Sequence, residues 1–231
     1  MTRTTNARLA GVAFLFYIAV GIASLVLSGR ATAGEGIAAK LASIAQHETA
    51  MRVDVLLLLC SSFAAIALGV TLYALTRDED PDLAMLALIC RVVEGVSNAS
   101  AIRTPLELLW LSTPTGPKAP DAESTRVLGT FLLYGPSPGG SALFFAVGST
   151  LFAWLLLRGR MIPIPLAWLG VIASVLLVAV LPLQLSGLMG PINWFGAVTW
   201  LVWFPMLVFE LVVAVWLIVK GAAAPARRQS A

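Results

Sequence analysis

The chain has 231 residues, 59% hydrophobic and 12% charged, with a formal net charge of +3. A soluble domain carries about 25% charged residues. Half that charge, with a mean hydropathy of +0.91, leaves too little polar surface to cover one core, which excludes soluble, disordered, collagen-like and disulfide-scaffold classes. The fold class that remains is all-α: a polytopic transmembrane bundle.

A span needs about 20 mostly apolar residues, and six segments qualify. The first covers residues 9–28. Arg3 and Arg8 before it and Ala31-Thr32-Ala33 after it imitate a secretory leader, but the apolar run, about 19 residues, exceeds the 7–15 of a leader's core. It is therefore read as a span; cleavage would leave five spans in the same orientation. Within residues 36–51, Ile37, Leu41, Ile44 and Ala45 fall at helical spacing, which predicts an outer amphipathic helix before the second span. His47 and Glu48 there fit a surface or capping role, since no partner motif accompanies the lone histidine.

The second span covers residues 53–76, with Asp54 near its outer end and Cys60, Ser61 and Ser62 suited to helix packing or back-bonding to the helix. Arg77 follows, among Asp78, Glu79, Asp80 and Asp82, and the third span covers residues 83–102. Residues 113–122 read as irregular loop. The short apolar stretch 127–134, ended by Gly135-Pro136-Ser137-Pro138-Gly139-Gly140, reads as an interfacial helix and turn in preference to a re-entrant hairpin. The fourth span covers 141–157 and the fifth 164–185, where Pro182 marks a kink or stop. The sixth, residues 192–219, is long enough to tilt or to kink at Pro205. Its Trp194 and Trp216 suit an aromatic belt, and Trp200 and Trp203 suit packing more than a pocket wall. Residues 1–220 form one six-helix transmembrane domain on this reading, and residues 221–231 a disordered tail.

Basic residues set the orientation. Arg3, Arg8, Arg77, Arg158, Arg160, Lys220, Arg227 and Arg228 fall in short regions that six spans place on one side. Arg30, Lys40, Arg52, Arg103, Lys118 and Arg126 fall in the longer loops opposite. The denser side belongs to the cytoplasm, so both termini are expected there. The basic residues form no run or aromatic-interleaved patch, so no nucleic-acid partner is expected. One His and two Cys without a CxxC predict neither a metal site nor a cofactor. No G-x-S-x-G, HExxH or Walker pattern is present, so catalysis stays open. The partner that composition does require is the lipid bilayer.

Ionisable residues inside a span are costly and point to function or to pairing. Arg91 lies nine residues past Asp82 and Glu210 ten before Lys220, which puts them about 13 and 15 Å from the same boundary, near the midplane. Glu94 shares Arg91's helix face at i+3, and Asn98 continues that face at i+4 from Glu94. Asp54 and Asn98 are expected to line the outer side. One Arg against two Glu leaves an excess negative charge, so one carboxyl holds a proton, or a cation, water cavity or polar ligand completes the cluster. An interhelical clamp, a polar binding cavity and proton coupling all fit that pattern.

Asn6-Ala7-Arg8-Leu9-Ala10-Gly11, Arg91-Val92-Val93-Glu94 and the stretch 140–165, with Leu143-Phe144-Phe145 and Leu156-Leu157-Arg158-Gly159-Arg160 before Ile162-Pro163, resemble the bacterial integral-membrane family catalogued as domain of unknown function 4386. The resemblance runs over about residues 6–219. It departs at Pro165, where a basic or small residue is the family expectation. It implies a six-helix protein of the bacterial cytoplasmic (inner) membrane and no particular activity. With the polar stripe, the expected function is handling of a lipid or small amphiphile at Arg91, Glu94, Glu210, Asp54 and Asn98. A proton-coupled transporter and a structural or interaction subunit are the alternatives. The sequence sets no oligomeric state.

Overall fold

A computed structural model describes residues 2–113, 120–135, 140–189 and 197–225, with main chain alone at 197–198. Its helices are α1 (Arg3–Ala31), α2 (Gly36–Gln46), α3 (Glu48–Thr76), α4 (Pro81–Ser100), α5 (Arg103–Ser112), α6 (Ala122–Tyr134), α7 (Gly140–Arg158), α8 (Ile164–Leu185) and α9 (Ala197–Val219), and no strand occurs among the described residues. Six segments are long and apolar enough to cross a bilayer: α1, α3, α4 taken together with α5, α7, α8 and α9. The protein is therefore a multi-pass, all-α membrane protein, as its composition requires. The predicted start of the sixth span, including Trp194, lies outside the described residues, as do most of the predicted loop 113–122, Pro136–Gly139 of the predicted break, and Arg227 and Arg228.

The chain divides into two compact units. One comprises Met1–Tyr17, Phe63–Gly95 and Gly139–Ala231; the other comprises Ile18–Ser62 and Val96–Pro138. Helices α1, α3 and α4 each give a segment to both.

The second unit contains the predicted amphipathic helix. Leu41 and Ile44 of α2 are buried with Ala31, Met51, Leu108, Leu109 and Leu111. His47 ends α2, its backbone N–H donating to the carbonyls of Ile44 and Ser43, which is the capping role expected of it. Helix α5 was not expected as a separate element. Pro105 sits in its first turn, where a missing N–H costs nothing, and Pro105, Leu108, Leu109 and Leu111 form one buried face. The stretch 127–134 is the end of the 13-residue helix α6. Asp121 caps that helix by accepting from the Ser124 amide, and this hydrogen bond holds its carboxyl below the usual range.

The first unit contains the larger apolar core, drawn from α1, α3, α4, α7, α8 and α9. Small residues let its helices approach: a Cβ on Gly11 of α1 would stand 2.5 Å from the Ala214 carbonyl of α9. At the end of this unit that carries the basic residues, the chain is tied across elements. Arg3 donates to the carbonyls of Ala222, Ala223 and Leu75, so the first residues after α9 are anchored; the tail from residue 226 lies outside the described residues. Arg158, ending α7, meets Glu79 at 3.1 Å and Asp80 at 3.2 Å in the connection from α3 to α4. Arg160 follows in the left-handed region (φ 51°). The Met161 N–H then donates to Leu156 and that of Arg160 to Leu157, the paired closure that ends a helix through a left-handed residue.

Candidate functional site

Helix α4 carries the charged centre, and its start is fixed by side chains. Asp80 accepts from the Leu83 N–H and holds Arg158 as well, so the register of the next residues is set from the basic end. Nine residues past Asp82, Arg91 enters the core of the first unit. Arg91 and Glu94 are each 1% exposed and Glu210 5%.

The Arg91 side chain lies in a slot made for it. A Cβ on Gly69 of α3 would stand 2.8 Å from the Arg91 Cβ, and one on Gly148 of α7 would stand 3.3 Å from its Cδ. Two missing side chains thus make room for the stem of a third. The guanidinium carbon lies 5.4 Å from the centroid of the Tyr17 ring and 5.2 Å from that of Phe145, within cation–π range of both. Phe145 in turn stacks on Trp203 of α9, with centroids 5.7 Å apart.

The polar partners are unevenly shared. Arg91 Nη1 meets Glu94 Oε2 at 2.8 Å, and the Tyr17 hydroxyl donates to Glu94 Oε1 at 2.8 Å. Arg91 Nε and Nη2 are buried with no hydrogen-bond partner, and so is Glu210 Oε1. Nε and Nη2 form the edge of a guanidinium that receives two oxygens at once. Glu210 stands within electrostatic reach of Arg91 and Glu94 but forms no ion pair with a described residue. A small cavity of about 10 Å³ adjoins Arg91, lined also by Ser149 and by apolar side chains including Phe14, Leu72, Phe152 and Met206. That is about the space one water needs.

The five residues singled out from the sequence therefore divide. Arg91, Glu94 and Glu210 come together in the first unit. Asp54 and Asn98 belong to the second; there Asp54 accepts from the Ser24 hydroxyl, and Asn98 is half-buried. The ion pair of Arg91 runs along its own helix to Glu94, not across to Glu210. Of the two deep tryptophans, Trp203 backs the site through Phe145, and Trp200 is 54% exposed. Ser62 back-bonds to the Leu58 carbonyl, as its position suggested.

Sequence reasoning missed Tyr17, Phe145, Gly69 and Gly148. Tyr17 carried a usable signal: it is nine residues past Arg8, about 13 Å in, the same depth as Arg91. The glycines carried only a weak one, because small residues serve ordinary helix packing as readily.

Chemically, the cluster offers two directed N–H donors, a carboxyl oxygen without a partner and a phenol, in surroundings that exclude bulk water. A polar group bearing acceptor oxygens fits it, and so does a proton. A family model described as Domain of unknown function (DUF4386) matches residues 9–221. No curated protein and no solved structure matches the chain.

Proposed function

The chain belongs to the family described as Domain of unknown function (DUF4386), and within that multi-pass membrane family we propose that this protein binds a small amphiphile or lipid by its polar head at Arg91. The observation that carries this reading is the buried, unpartnered Nε/Nη2 edge of Arg91. Leaving such donors without acceptors costs about 1–3 kcal/mol each, more when charged, and a head group with two acceptor oxygens removes that cost. The apolar walls, Phe14, Leu72, Phe152 and Met206, suit an alkyl chain. The cavity as it stands holds about one water, so binding requires these walls to part. Glu94 holds Arg91 from the other side, and Glu210 tunes the charge that the head group meets.

The site belongs, on this proposal, to a bacterial cytoplasmic membrane, with both termini on the cytoplasmic side. The support is the clustering of Arg3, Arg8, Arg77, Arg158, Arg160 and Lys220 in short regions at one end. The test of binding is native mass spectrometry of protein extracted in mild detergent. A bound amphiphile retained by the wild type and lost from a folded Arg91→Met variant is expected; no adduct, or one indifferent to Arg91, overturns the reading.

A second reading, proton-coupled transport of a small molecule, is favoured by the unpartnered Glu210 oxygen in a cluster with excess negative charge. A purely structural clamp draws support from the Tyr17–Glu94 bond between α1 and α4, though the Arg91–Glu94 pair itself joins no two helices.

A further inference from the structure

The two orphaned features of the cluster complement each other: an open two-donor edge on Arg91 and a carboxyl oxygen of Glu210 without a donor. We propose that Arg91, Glu94 and Glu210 form a one-proton site in which the two carboxyls hold a single proton between them, and loss of that proton brings Glu210 onto the open edge of Arg91. The inference uses the same residues as the binding reading but does not depend on any ligand being held there.

Fully ionised, the three side chains sum to one negative charge, all of them nearly or fully buried, and a buried charge without a counterion is neutralised by a proton. The other groups facing Glu210 do not supply a counterion. From α4 come Arg91 and Glu94 and from α1 comes Tyr17, each within electrostatic reach of Glu210; Cys90 of α4 is next to Arg91 in the chain, and Tyr73 of α3 packs against the same apolar core. Among the described residues, the buried polar side chains of α7 and α8 are Ser149, Ser174 and Gln184, and none of them is a cation. Arg91 is the one cation among them, and a single guanidinium cannot neutralise two carboxylates.

Geometry then says where the proton goes on and off. With the proton on Glu210, Arg91 is paired through Nη1 to Glu94, which also takes the Tyr17 hydroxyl. This is the arrangement described above, and it leaves the Nε/Nη2 edge open. When the Glu210 O–H bond breaks, the bonding pair stays on the carboxylate and the proton passes to a water molecule as hydronium. The carboxylate then has a two-donor edge within electrostatic reach. The cavity beside Arg91 has room for one such water. Because the guanidinium lies against the Tyr17 and Phe145 rings, it can serve either carboxyl without leaving its slot.

Counting protonated glutamates tests this. The full chain, labelled at glutamate with a heavy carbon isotope, is purified in detergent without added lipid at neutral pH. Its carboxylic-acid carbonyl band is then read by infrared spectroscopy. The wild type is expected to show one protonated glutamate. Glu94→Gln and Glu210→Gln each leave one carboxylate for one guanidinium, so each is expected to show none. Arg91→Gln removes the cation, so two are expected. No acid band in the wild type, or a band that survives in either glutamine variant, overturns the proposal. If Arg91→Gln does not fold, the two glutamate variants still decide it. Since no ligand enters the measurement, its result is independent of the native mass spectrometry test of binding.

Discussion

Replacing Arg91 by Met keeps most of the stem between Gly69 and Gly148 and removes the cation. Glu94 keeps the Tyr17 hydroxyl but loses its ion partner, and a second buried carboxyl must then be neutralised. Taking up a proton at pH 7 on a carboxyl of ordinary pKa near 4.3 costs about 3.7 kcal/mol, at about 1.36 kcal/mol per pH unit. Breaking a buried pair by removing one partner costs about 3–5 kcal/mol in general, so the two routes agree and Arg91→Met is expected to lose about 4 kcal/mol. Glu94→Gln alone is expected to lose far less, about 1 kcal/mol, because Glu210 remains to partner Arg91 and the Gln amide oxygen still accepts from Tyr17, so a charged hydrogen bond is only exchanged for a neutral one. The informative variant is the double one, Arg91→Met with Glu94→Gln. It again has a single buried proton to hold, so the second substitution is expected to restore about 2–3 kcal/mol of what the first removed. Reversible unfolding in mixed micelles, followed by tryptophan fluorescence, measures all corners of the cycle. Independent sites add to within about 0.5 kcal/mol. A double variant whose loss equals the sum of the singles within that margin would refute the charge argument.

Other outcomes follow from the same contacts. Gly69→Val, which drives branched atoms into the Arg91 stem, is expected to cost about 1–3 kcal/mol, whereas Gly21→Ala, with nothing within 4 Å of its added carbon, should leave the melting temperature unchanged or raised. Arg158→Ala strands the buried Glu79 and is expected to destabilise by about 1–3 kcal/mol, with most of the loss recovered when Glu79→Gln is added. Asp121 is ionised in the folded state at lower pH than in the unfolded chain. Its capping of α6 is therefore fully present above the unfolded value near 3.9 and lost as pH falls through the folded one; hydrogen exchange at the Ser124 amide should speed up in that acidic range and, at neutral pH, in Asp121→Ala. Arg160→Gly, which relieves a left-handed residue, is expected to stabilise the α7–α8 turn by up to about 1 kcal/mol, read as a rise in melting temperature.

Most of the fold was legible because bilayer solvation imposes a single rule. Every spanning backbone must satisfy its own hydrogen bonds, so long apolar runs become helices, and six such runs were visible. The amphipathic helix α2 was equally plain, since Ile37, Leu41 and Ile44 repeat at helical spacing. Helix α5 was missed because Arg103, Thr104 and Glu107 break up its short apolar pattern after the polar stretch 97–100, and only Pro105 hints at a new first turn. At the site, depth along a helix follows from residue counting, so Arg91, Glu94 and Glu210 could be placed at one level. Pairing across helices cannot be counted. It depends on which faces meet, and that is why Tyr17 was not foreseen as the interhelical partner of Glu94 and why Arg91 pairs with Glu94 and not with Glu210. Asp54 and Asn98 show the limit of the same reasoning: being buried or on a polar face says that a residue needs a partner, not which one, and Asp54 of α3 takes Ser24 of α1.

The central claim is that the open edge of Arg91 receives the polar head of an amphiphile. An experimental density map of the protein purified with its native lipids tests it most directly. The account predicts density outside the protein, with two acceptor atoms at hydrogen-bond distance from Arg91 Nε and Nη2 and an alkyl chain running between the parted walls of Phe14, Leu72 and Phe152. An edge closed by the carboxylate of Glu210, with no such density and no widening of the cavity, would contradict it.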